Sequence, residues 1–558
     1  MKGSLQHSKI DKLRQRLLRE PNDGKTLHEL GQAYAARNEL GLATTFLCQA
    51  VASEPKIPEH YVSFGDVLLR GGRNLEAVCA FRQALSLDRN HANAYGGLGL
   101  ALHAIGEITL ATGALSKAIE RLPQNQTFWV NLSEVLRDKG EYLKAYEAAV
   151  KALTLHNNSK DNTNVTKDVA RALAESLFGL GKIDKALKWL HKAIDSDPMW
   201  DYGHNNIGRG LAALDRYKEA KRYYDKAISL NPGNVDAHIG RAKILLASGN
   251  FVEGWKEYEW RFKLSVALKS MTVKFINRLT EPMWSGEKLE GKTLLVYGEQ
   301  GFGDTMQSVR YVAELASHRC RIILMVYREL VRLFNTIQGV TSVVSYGDLI
   351  PRYDYHIPMF SLPNRLKFIG NAIPNNIPYI RVPDHCKIPP AISKTSRLRV
   401  GFIWHTKRLG VLDYRSVPLR FLEPLFRHRS VQFYSFQLAD GAKELDRYAR
   451  RSNVQNLKPF IKDWAQTAVF LNEMDLLISI DSGIAHLAGA LGLPVWVMLS
   501  PGADWRWGMA DPGRQGVSVE KTLWYPTMRL YRAPSVGLWG PVVRRMEEDL
   551  EKVVSRRF

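Results

Sequence analysis

Four short stretches in the second half of the chain hold residue types that could do chemistry. The first is Gly298-Glu-Gln-Gly301-Phe-Gly303-Asp304. Glycines between a strand and a helix bring backbone N–H groups up to a ligand. Asp304 could take a proton from an acceptor hydroxyl or simply cap the helix that starts there. No Gly-Lys-Ser/Thr follows, so this is not a P-loop, and the third glycine of a dinucleotide fingerprint is missing. The second stretch is Asp481-Ser482-Gly483-Ile-Ala-His486. A strand ending at Asp481 and a helix opening at Ser482 and Gly483 would offer free N–H groups and a positive partial charge to a diphosphate. His486 lies one turn in, on a face that could reach the same ligand. No Gly-x-Ser-x-Gly elbow surrounds Ser482, which speaks against a serine nucleophile. The third set is His405, Lys407, Arg408 and Arg415, either fixed cations for a departing diphosphate or a solvated basic loop. The fourth is Asp504-Trp505-Arg506-Trp507. Its aromatics beside a carboxylate and an arginine suit a sugar ring or a base, and equally a plug between two lobes.

These stretches need a scaffold of alternating strands and helices. Lys292–Tyr297, Arg321–Val326, Ser342–Ser345 and Tyr353–Ile357 read as strands, with a helix over Asp304–Ala316 after the first. A proline-rich stretch, Pro374–Pro390, separates this lobe from a second alternation. There Leu398–Trp404, Val431–Phe436, Leu476–Ile480 and Val495–Leu499 read as strands. Leu419–Arg427, Asp463–Met474, Ser482–Leu491 and Trp539–Val554 read as helices, the second capped by Asp463. Each half predicts a Rossmann-like lobe with its motif at a strand-to-helix turn.

The first half is a repeat. Pro21 and Pro55, and again Pro198 and Pro232, lie one 34-residue period apart, the tetratricopeptide spacing. Small residues recur on that grid at Gly31, Gly65, Gly99, Ser133, Gly208 and Ala242, where two helices must approach closely. Ala43, Ala77, Ala111, Ala145, Ala186 and Ala220 mark a second small position. Ala50, Ala84, Ala118, Ala152, Ala193 and Ala227 mark a third. Leu47, Phe81, Leu115, Leu190 and Tyr224 lie between them as bulky knobs. Seven extra residues between Pro123 and Pro198 are expected as a loop around His156–Thr166. Gly254-Trp-Lys-Glu-Tyr-Glu-Trp-Arg-Phe262 reads as an aromatic helix that docks the array onto the strand-bearing half. Such an array stacks into a superhelix with a groove suited to a peptide or protein. Asp195-Ser-Asp197, a metal-binding spelling in other contexts, falls in an inter-repeat turn and reads as helix-end punctuation.

The 558 residues are 45% hydrophobic and 24% charged, ordinary for a globular chain, with a formal charge of +21. A basic balance favours acidic partners: sugar nucleotides, an anionic membrane or glycolipid surface, or nucleic acid. No nucleic-acid recognition motif accompanies the charge, and the aromatics fall at core positions, so nucleic acid is not expected. Cys48, Cys79, Cys320 and Cys386 form no metal-ligand spacing. Cys48 and Cys79 read as buried thiols of a reducing compartment. The polar start is not a secretory signal. The apolar run Asp475–Leu499 is interrupted by charge, glycine and Pro494, which argues against a membrane span. The expected location is cytoplasmic, peripheral at the inner membrane face if a membrane is met.

Taken in order, Gly298-Glu-Gln-Gly-Phe-Gly-Asp-Thr, Arg415-Ser-Val-Pro, Asp481-Ser-Gly-Ile-Ala-His, Asp504-Trp-Arg-Trp and Trp524-Tyr-Pro-Thr-Met-Arg-Leu resemble a bacterial group. In it, tetratricopeptide repeats are fused to a domain similar to glycosyltransferase family 9, the ADP-heptose:lipopolysaccharide heptosyltransferases. The resemblance spans essentially the whole chain. It implies a tetratricopeptide solenoid over 1–265, followed by a GT-B pair of Rossmann-like lobes over 285–385 and 396–558. It implies an inverting transferase that uses a nucleotide-sugar co-substrate and no metal or other cofactor. Asp304 then matches the general base, and Ser482, Gly483 and His486 lie at the donor diphosphate. Lys407 is a looser match to a phosphate-contacting lysine. Gly301, Gly303, Arg415, Asp481, Asp504 and Trp505 complete the candidate donor site. The competing expectation is a non-catalytic scaffold whose repeats recruit partners and whose α/β half has lost its chemistry.

Overall fold

A computed structural model describes residues 2–157, 166–264, 278–366, 373–374, 376–384, 386, 392, 396–407, 411–438, 441–448, 453–510 and 518–557. The chain forms two compact units, 1–198 and 199–558.

The described residues of the first unit form helices joined by turns. After a leading helix, Lys2–Arg19, the first helices of successive pairs start at Gly24, Pro58, Ala92 and Gln126, one every 34 residues. The fifth pair, Lys167–Gly179 and Ile183–Ser196, starts 41 residues after the fourth. The expected inserted loop lies, over 158–165, outside the described residues. The small positions do what their size suggests. A Cβ on Gly31 would sit 2.5 Å from Leu47 Cγ, and one on Gly99 2.6 Å from Leu115 Cγ. Phe81 is wedged between Gly65 of its own pair and Gly97 of the next. At Ser133 the hydroxyl donates to Ala145 O at 2.8 Å, so a polar residue fits the same tight place. Asp197 caps the Ile183–Ser196 helix and is ion-paired with Lys167, the structural role expected of it.

Cys48 and Cys79 are exposed, contrary to the expectation of buried thiols. The buried face of Leu40–Ser53 runs through Ala43, Leu47 and Ala50. Cys48, one residue past Leu47, is turned about 100° away from it. Cys79 is likewise off the Ala77–Phe81–Ala84 face.

The second unit begins with two more helix pairs, Asp201–Ala212 with Tyr217–Leu230 and Val235–Ala247 with Phe251–Tyr258. Two parallel sheets come next. The first has four strands: β1 (Thr293–Tyr297), β2 (Arg321–Val326), β3 (Ser342–Ser345) and β4 (Tyr355–Pro358), in the order β3-β2-β1-β4. The second has seven: β5 (Leu398–Phe402), β6 (Val431–Ser435), β7 (Val454–Asn456), β8 (Leu476–Ile480), β9 (Val495–Leu499), β10 (Ser518–Lys521) and β11 (Met528–Arg532). Their order is β10-β11-β9-β8-β5-β6-β7, and only β10 runs antiparallel. Strands buried on both faces read as continuous apolar runs. In β8, Leu477 packs with the Gly483–Ala490 helix on one face, while Ile478 and Ile480 pack with the Gly540–Arg557 helix on the other.

Three expectations differ in detail. The helix expected over Asp304–Ala316 is α-helical over Phe302–Ser308 and tightens to 3₁₀ over Val309–His318. Leu419–Arg427 is two 3₁₀ turns around Glu423 and Pro424, because proline cannot donate the bond a continuous helix needs. The strands β7, β10 and β11 are additional to the predicted set.

The aromatic stretch after Gly254 docks as its composition suggests. Trp255 stacks on Phe360 at 6.0 Å and meets Trp505 edge-on at 5.3 Å. Arg261, 5% exposed, forms two bonds to the Glu299 carboxylate, at 2.7 and 2.9 Å, and a third to Ser361 Oγ. A buried guanidinium held by a matched carboxylate fixes geometry as well as charge. The last two helix pairs therefore belong to the same compact body as the sheets.

Candidate active site

A cavity of about 850 Å³ lies at the carboxyl ends of the strands of both sheets. Gln300–Asp304, after β1, form one wall. The opposite wall comes from the segments after β5 (His405, Lys407), β8 (Asp481–Ile484, His486) and β9 (Asp504, Arg506). Open parallel sheets place ligands at this edge because helix N-termini converge there. Pockets for small ligands measure roughly 300–1,000 Å³, which includes this one.

Two helix starts meet across the cavity. Gly303 lies so close to the Gly483–Ala490 helix that a Cβ on it would sit 3.0 Å from Gly483 Cα and 2.9 Å from His486 Cδ2. Gly301 donates its N–H to Asp304 Oδ2 at 2.8 Å. The other Asp304 oxygen is ion-paired with Arg506. Asp304 is thus both a helix-start residue and a cavity residue. Each carboxylate oxygen has two lone pairs, so each keeps one, and the side chain is 26% exposed.

Asp481 directly follows β8 and is 7% exposed. Burial, reinforced by the neighbouring Asp504 charge, pushes its carboxyl up to about 6. Burial also acts on Asp504, but Arg506 and Lys243 outweigh it and hold that carboxyl below its ordinary range. The pair therefore sits with Asp504 charged and Asp481 the readier to hold a proton.

His486 is 4% exposed and stacks on Trp507 at 5.0 Å. Burial, together with Arg506 and Arg310, pushes its imidazole down to about 3, so the ring is neutral near pH 7. Arg310 donates to Tyr379 Oη at 3.1 Å, Tyr379 donates to Tyr525 Oη at 3.4 Å, and Tyr525 lies 3.0 Å from His486 Nδ1. That chain directs a proton at Nδ1 and leaves the ring's own N–H on Nε2. In that tautomer Nε2–H is the ring's donor.

The cations differ from one another. Lys407 is exposed and lines the cavity. Arg415 is held by both Asp413 oxygens, at 2.9 and 2.7 Å, and reaches Asp481 O at 3.4 Å. His405 is tied at its backbone to the Gln437 amide by two bonds of 3.1 Å. Arg408 lies outside the described residues. Ser482 stands at the start of the Gly483–Ala490 helix without a side-chain bond to its N–H groups, its hydroxyl lying instead 3.1 Å from Ser479 Oγ.

Gly301, Gly303, Asp304, Lys407, Arg415, Asp481, Ser482, Gly483, His486 and Asp504 all line the one cavity. Trp505 does not. It is 3% exposed among Trp255, Tyr258, Phe360 and Trp524, the plug alternative for that motif. Arg506, named in its motif but not among the expected site residues, and Trp464, which no motif marked, also line the cavity. Arg506, spaced two residues from Asp504 in the same motif, was legible as its partner; its reach to Asp304 was not. Trp464, behind the Asp463 cap, packs on Phe302 at 5.5 Å and lines the cavity.

Fold and site together define a tetratricopeptide-repeat protein with a cavity-bearing α/β region of parallel sheets. Models of the tetratricopeptide repeat match residues 62–126 and 211–254. Among curated relatives, protein FlbA of Caulobacter vibrioides is 24% identical over 503 residues, covering 84% of this chain and 80% of FlbA. Human protein O-mannosyl-transferase TMTC3 is 25% identical over 224 residues, 38% of this chain. The chain spans only 22% of TMTC3. Similar solved structures include YrrB, described as a TPR protein with an unusual peptide-binding site. It is 22% identical, with 34% of this chain and 95% of YrrB covered and a TM-score of 0.27. TTC0263, a thermophilic TPR protein of Thermus thermophilus, is also 22% identical, with 34% and 98% covered and a TM-score of 0.30.

Proposed function

We propose that the α/β region is a GT-B glycosyltransferase, inverting and metal-independent, that moves a sugar from a nucleotide-sugar donor to a protein or glycan acceptor recruited by the repeats. The observation that carries this reading is the meeting, in one cavity, of a carboxylate from the first sheet with an open helix N-terminus and a cation from the second. The donor diphosphate would lie at the Gly483–Ala490 helix start, bonded by its free N–H groups and by the neutral His486, with Lys407 beside it. The acceptor oxygen attacks the anomeric carbon while Asp304 takes its proton. The bond from that carbon to the diphosphate oxygen breaks, and the nucleoside diphosphate leaves with its charge met by the helix start and Lys407. Asp304 returns the proton to water.

A calorimetric titration of the full chain with ADP, GDP, UDP and CDP, without added metal, tests this reading. A ligand bound only to the native state stabilises it by about 2.7 kcal/mol at a hundred times Kd. The expected result is selective binding of one diphosphate, weakened in Lys407→Glu. Binding of none of the four overturns the reading. Because the ion pair with Arg506 lowers the basicity of Asp304, a second reading is a scaffold without turnover, and release of nucleoside diphosphate from a matching nucleotide sugar disposes of it.

A further inference from the structure

Arg310 is 2% exposed and stands in the 3₁₀ turn that continues the Asp304 helix. Its side chain leaves that element. Nη1 donates to Trp524 O at 3.0 Å and to Pro374 O at 3.3 Å, while Nε stays on Gln307 O at 3.2 Å. The guanidinium carbon lies 4.8 Å from the ring centre of Tyr379, 4.9 Å from that of Tyr525 and 5.3 Å from that of Trp524. Its hydrogen-bond partners among the described residues are carbonyl and phenol oxygens, with no carboxylate among them. Arginine does not deprotonate in a protein, so a full charge is buried here, met by carbonyls, a phenol and aromatic faces. Burying a cation without a paired carboxylate is unfavourable, and an apolar side chain would often fill such a space with less loss.

What the arginine adds is direction. A guanidinium donates and cannot accept. Arg310 Nη2 lies 3.1 Å from Tyr379 Oη and occupies a lone pair there, so the Tyr379 O–H is free to donate to Tyr525 Oη at 3.4 Å. Tyr525 then donates to His486 Nδ1 at 3.0 Å. Two phenols alone could run the same bonds the other way, since a hydroxyl both donates and accepts. In that reversed order His486 would carry its proton on Nδ1 and turn a bare Nε2 toward the cavity. Tyr525 is 0% and His486 4% exposed, so bulk water does not compete for these bonds. The ring edge that bears Nε2 is the one at the cavity wall: its Cδ2, bonded to Nε2, is the atom a Cβ on Gly303 would meet at 2.9 Å. An N–H there bonds a phosphate oxygen, whereas a bare nitrogen repels it.

We propose that Arg310 is a positioning residue for the donor: through Tyr379 and Tyr525 it holds His486 with Nε2–H toward the diphosphate. Arg310 does not itself line the cavity, so it acts through the histidine. The segment that supplies Asp304 on one wall thereby also sets a donor-binding bond on the opposite wall. The diphosphate at the end of this relay rests on the transferase reading, whereas the direction of the relay rests on its hydrogen bonds.

The test is calorimetry on the full chain with ADP, GDP, UDP and CDP, carried on with whichever binds. Tyr525→Phe removes the last hydroxyl of the relay and keeps the ring. It should weaken the diphosphate roughly three- to tenfold, the net contribution of one hydrogen bond. Tyr379→Phe should weaken it in the same direction but less. His486→Gln supplies an N–H donor near the place of Nε2 that has no tautomer to set. In that background, whatever its own affinity, neither tyrosine substitution should change binding by more than about twofold, because the coupling is gone. Arg310→Gln, whose amide accepts as well as donates, should weaken binding, and Arg310→Lys, which only donates, should recover part of the loss. If the arginine variants do not fold, the tyrosine cycle decides. Equal losses with His486 and with Gln at that position would make the tyrosines structural only. That result, or no loss in either background, overturns the inference and leaves the transferase reading in place. If the wild-type protein binds none of the four diphosphates, both fall.

Discussion

Arg506 and Asp304 form an ion pair that joins the loop after β9 to the helix after β1 across the candidate active site. Arg506 is buried at 6% exposure and also bonds Asp504. One guanidinium therefore spans two carboxylates that belong to different sheets. Arg506→Met would strip Asp304 of its ion-pair partner and take from Asp504 the larger of its two cationic influences, Lys243 being the other, and a lost partner of this kind costs about 1–3 kcal/mol. Urea unfolding should show that loss. Arg506→Lys, which keeps charge but not the planar fork, should recover only part of it. Wild-type stability in Arg506→Met would mean that the pair holds nothing together.

Asp304→Asn separates the two roles of that residue. The amide oxygen can still accept the Gly301 N–H, so the helix start should survive, while loss of the ion pair with Arg506 should lower stability by about 1–3 kcal/mol. Proton abstraction should not survive. General-base catalysis is worth about 10²–10⁴ in rate, so sugar transfer should fall by that factor with nucleoside diphosphate affinity unchanged. Full transfer by Asp304→Asn would remove it as the base.

The framework was legible because its signals are periodic. A 34-residue spacing of small residues and knobs is hard to mistake, and Phe81 between Gly65 and Gly97 shows why it exists. Strands such as Val495–Leu499 announce themselves as unbroken apolar runs. The short strands β7 and β10, polar in Val454–Asn456 and Ser518–Lys521, carry no such pattern. Most of the site was legible for a similar reason, since glycines and small residues mark strand-to-helix turns. The pairing of Arg506 with Asp304 was not, because nothing local encodes which of several carboxylates an arginine will reach. Trp505 misled because an aromatic beside a carboxylate looks alike in a sugar site and in a core.

The two buried titratable groups predict opposite acid responses. His486 is pushed down to about 3, while an unfolded histidine protonates near 6.5. Below about 6.5 the unfolded chain binds more protons, so stability from this residue is lost as pH falls. Asp481 is pushed up to about 6, against about 3.9 unfolded. Here the native state binds the extra proton between about 6 and 4, so stability rises as pH falls. The slopes, each up to about 1.4 kcal/mol per pH unit, oppose one another in that window. His486→Phe should therefore flatten or reverse the acid loss, and Asp481→Asn should steepen it. Urea midpoints at pH 4.5 and 7 measure both, and variants that merely parallel the wild type would contradict the burial of these charges.

Gly303→Ala tests whether the meeting of the two helix starts matters. The added methyl would press on Gly483 Cα, which is backbone and cannot swing aside as a side chain could. Overpacking of this kind costs about 1–3 kcal/mol. The relief available is to separate Phe302–Ser308 from Gly483–Ala490, which would move the free N–H groups away from Asp304. Stability should fall modestly, while nucleoside diphosphate affinity and any transfer should fall much further than stability alone explains. Gly301→Ala is the control. Its Cβ would meet only the Asp304 Oδ2 atom, at 3.1 Å, and that oxygen belongs to a side chain that can shift. If both substitutions behave alike, the close approach of the two helices is packing only, and the ligand site does not depend on it.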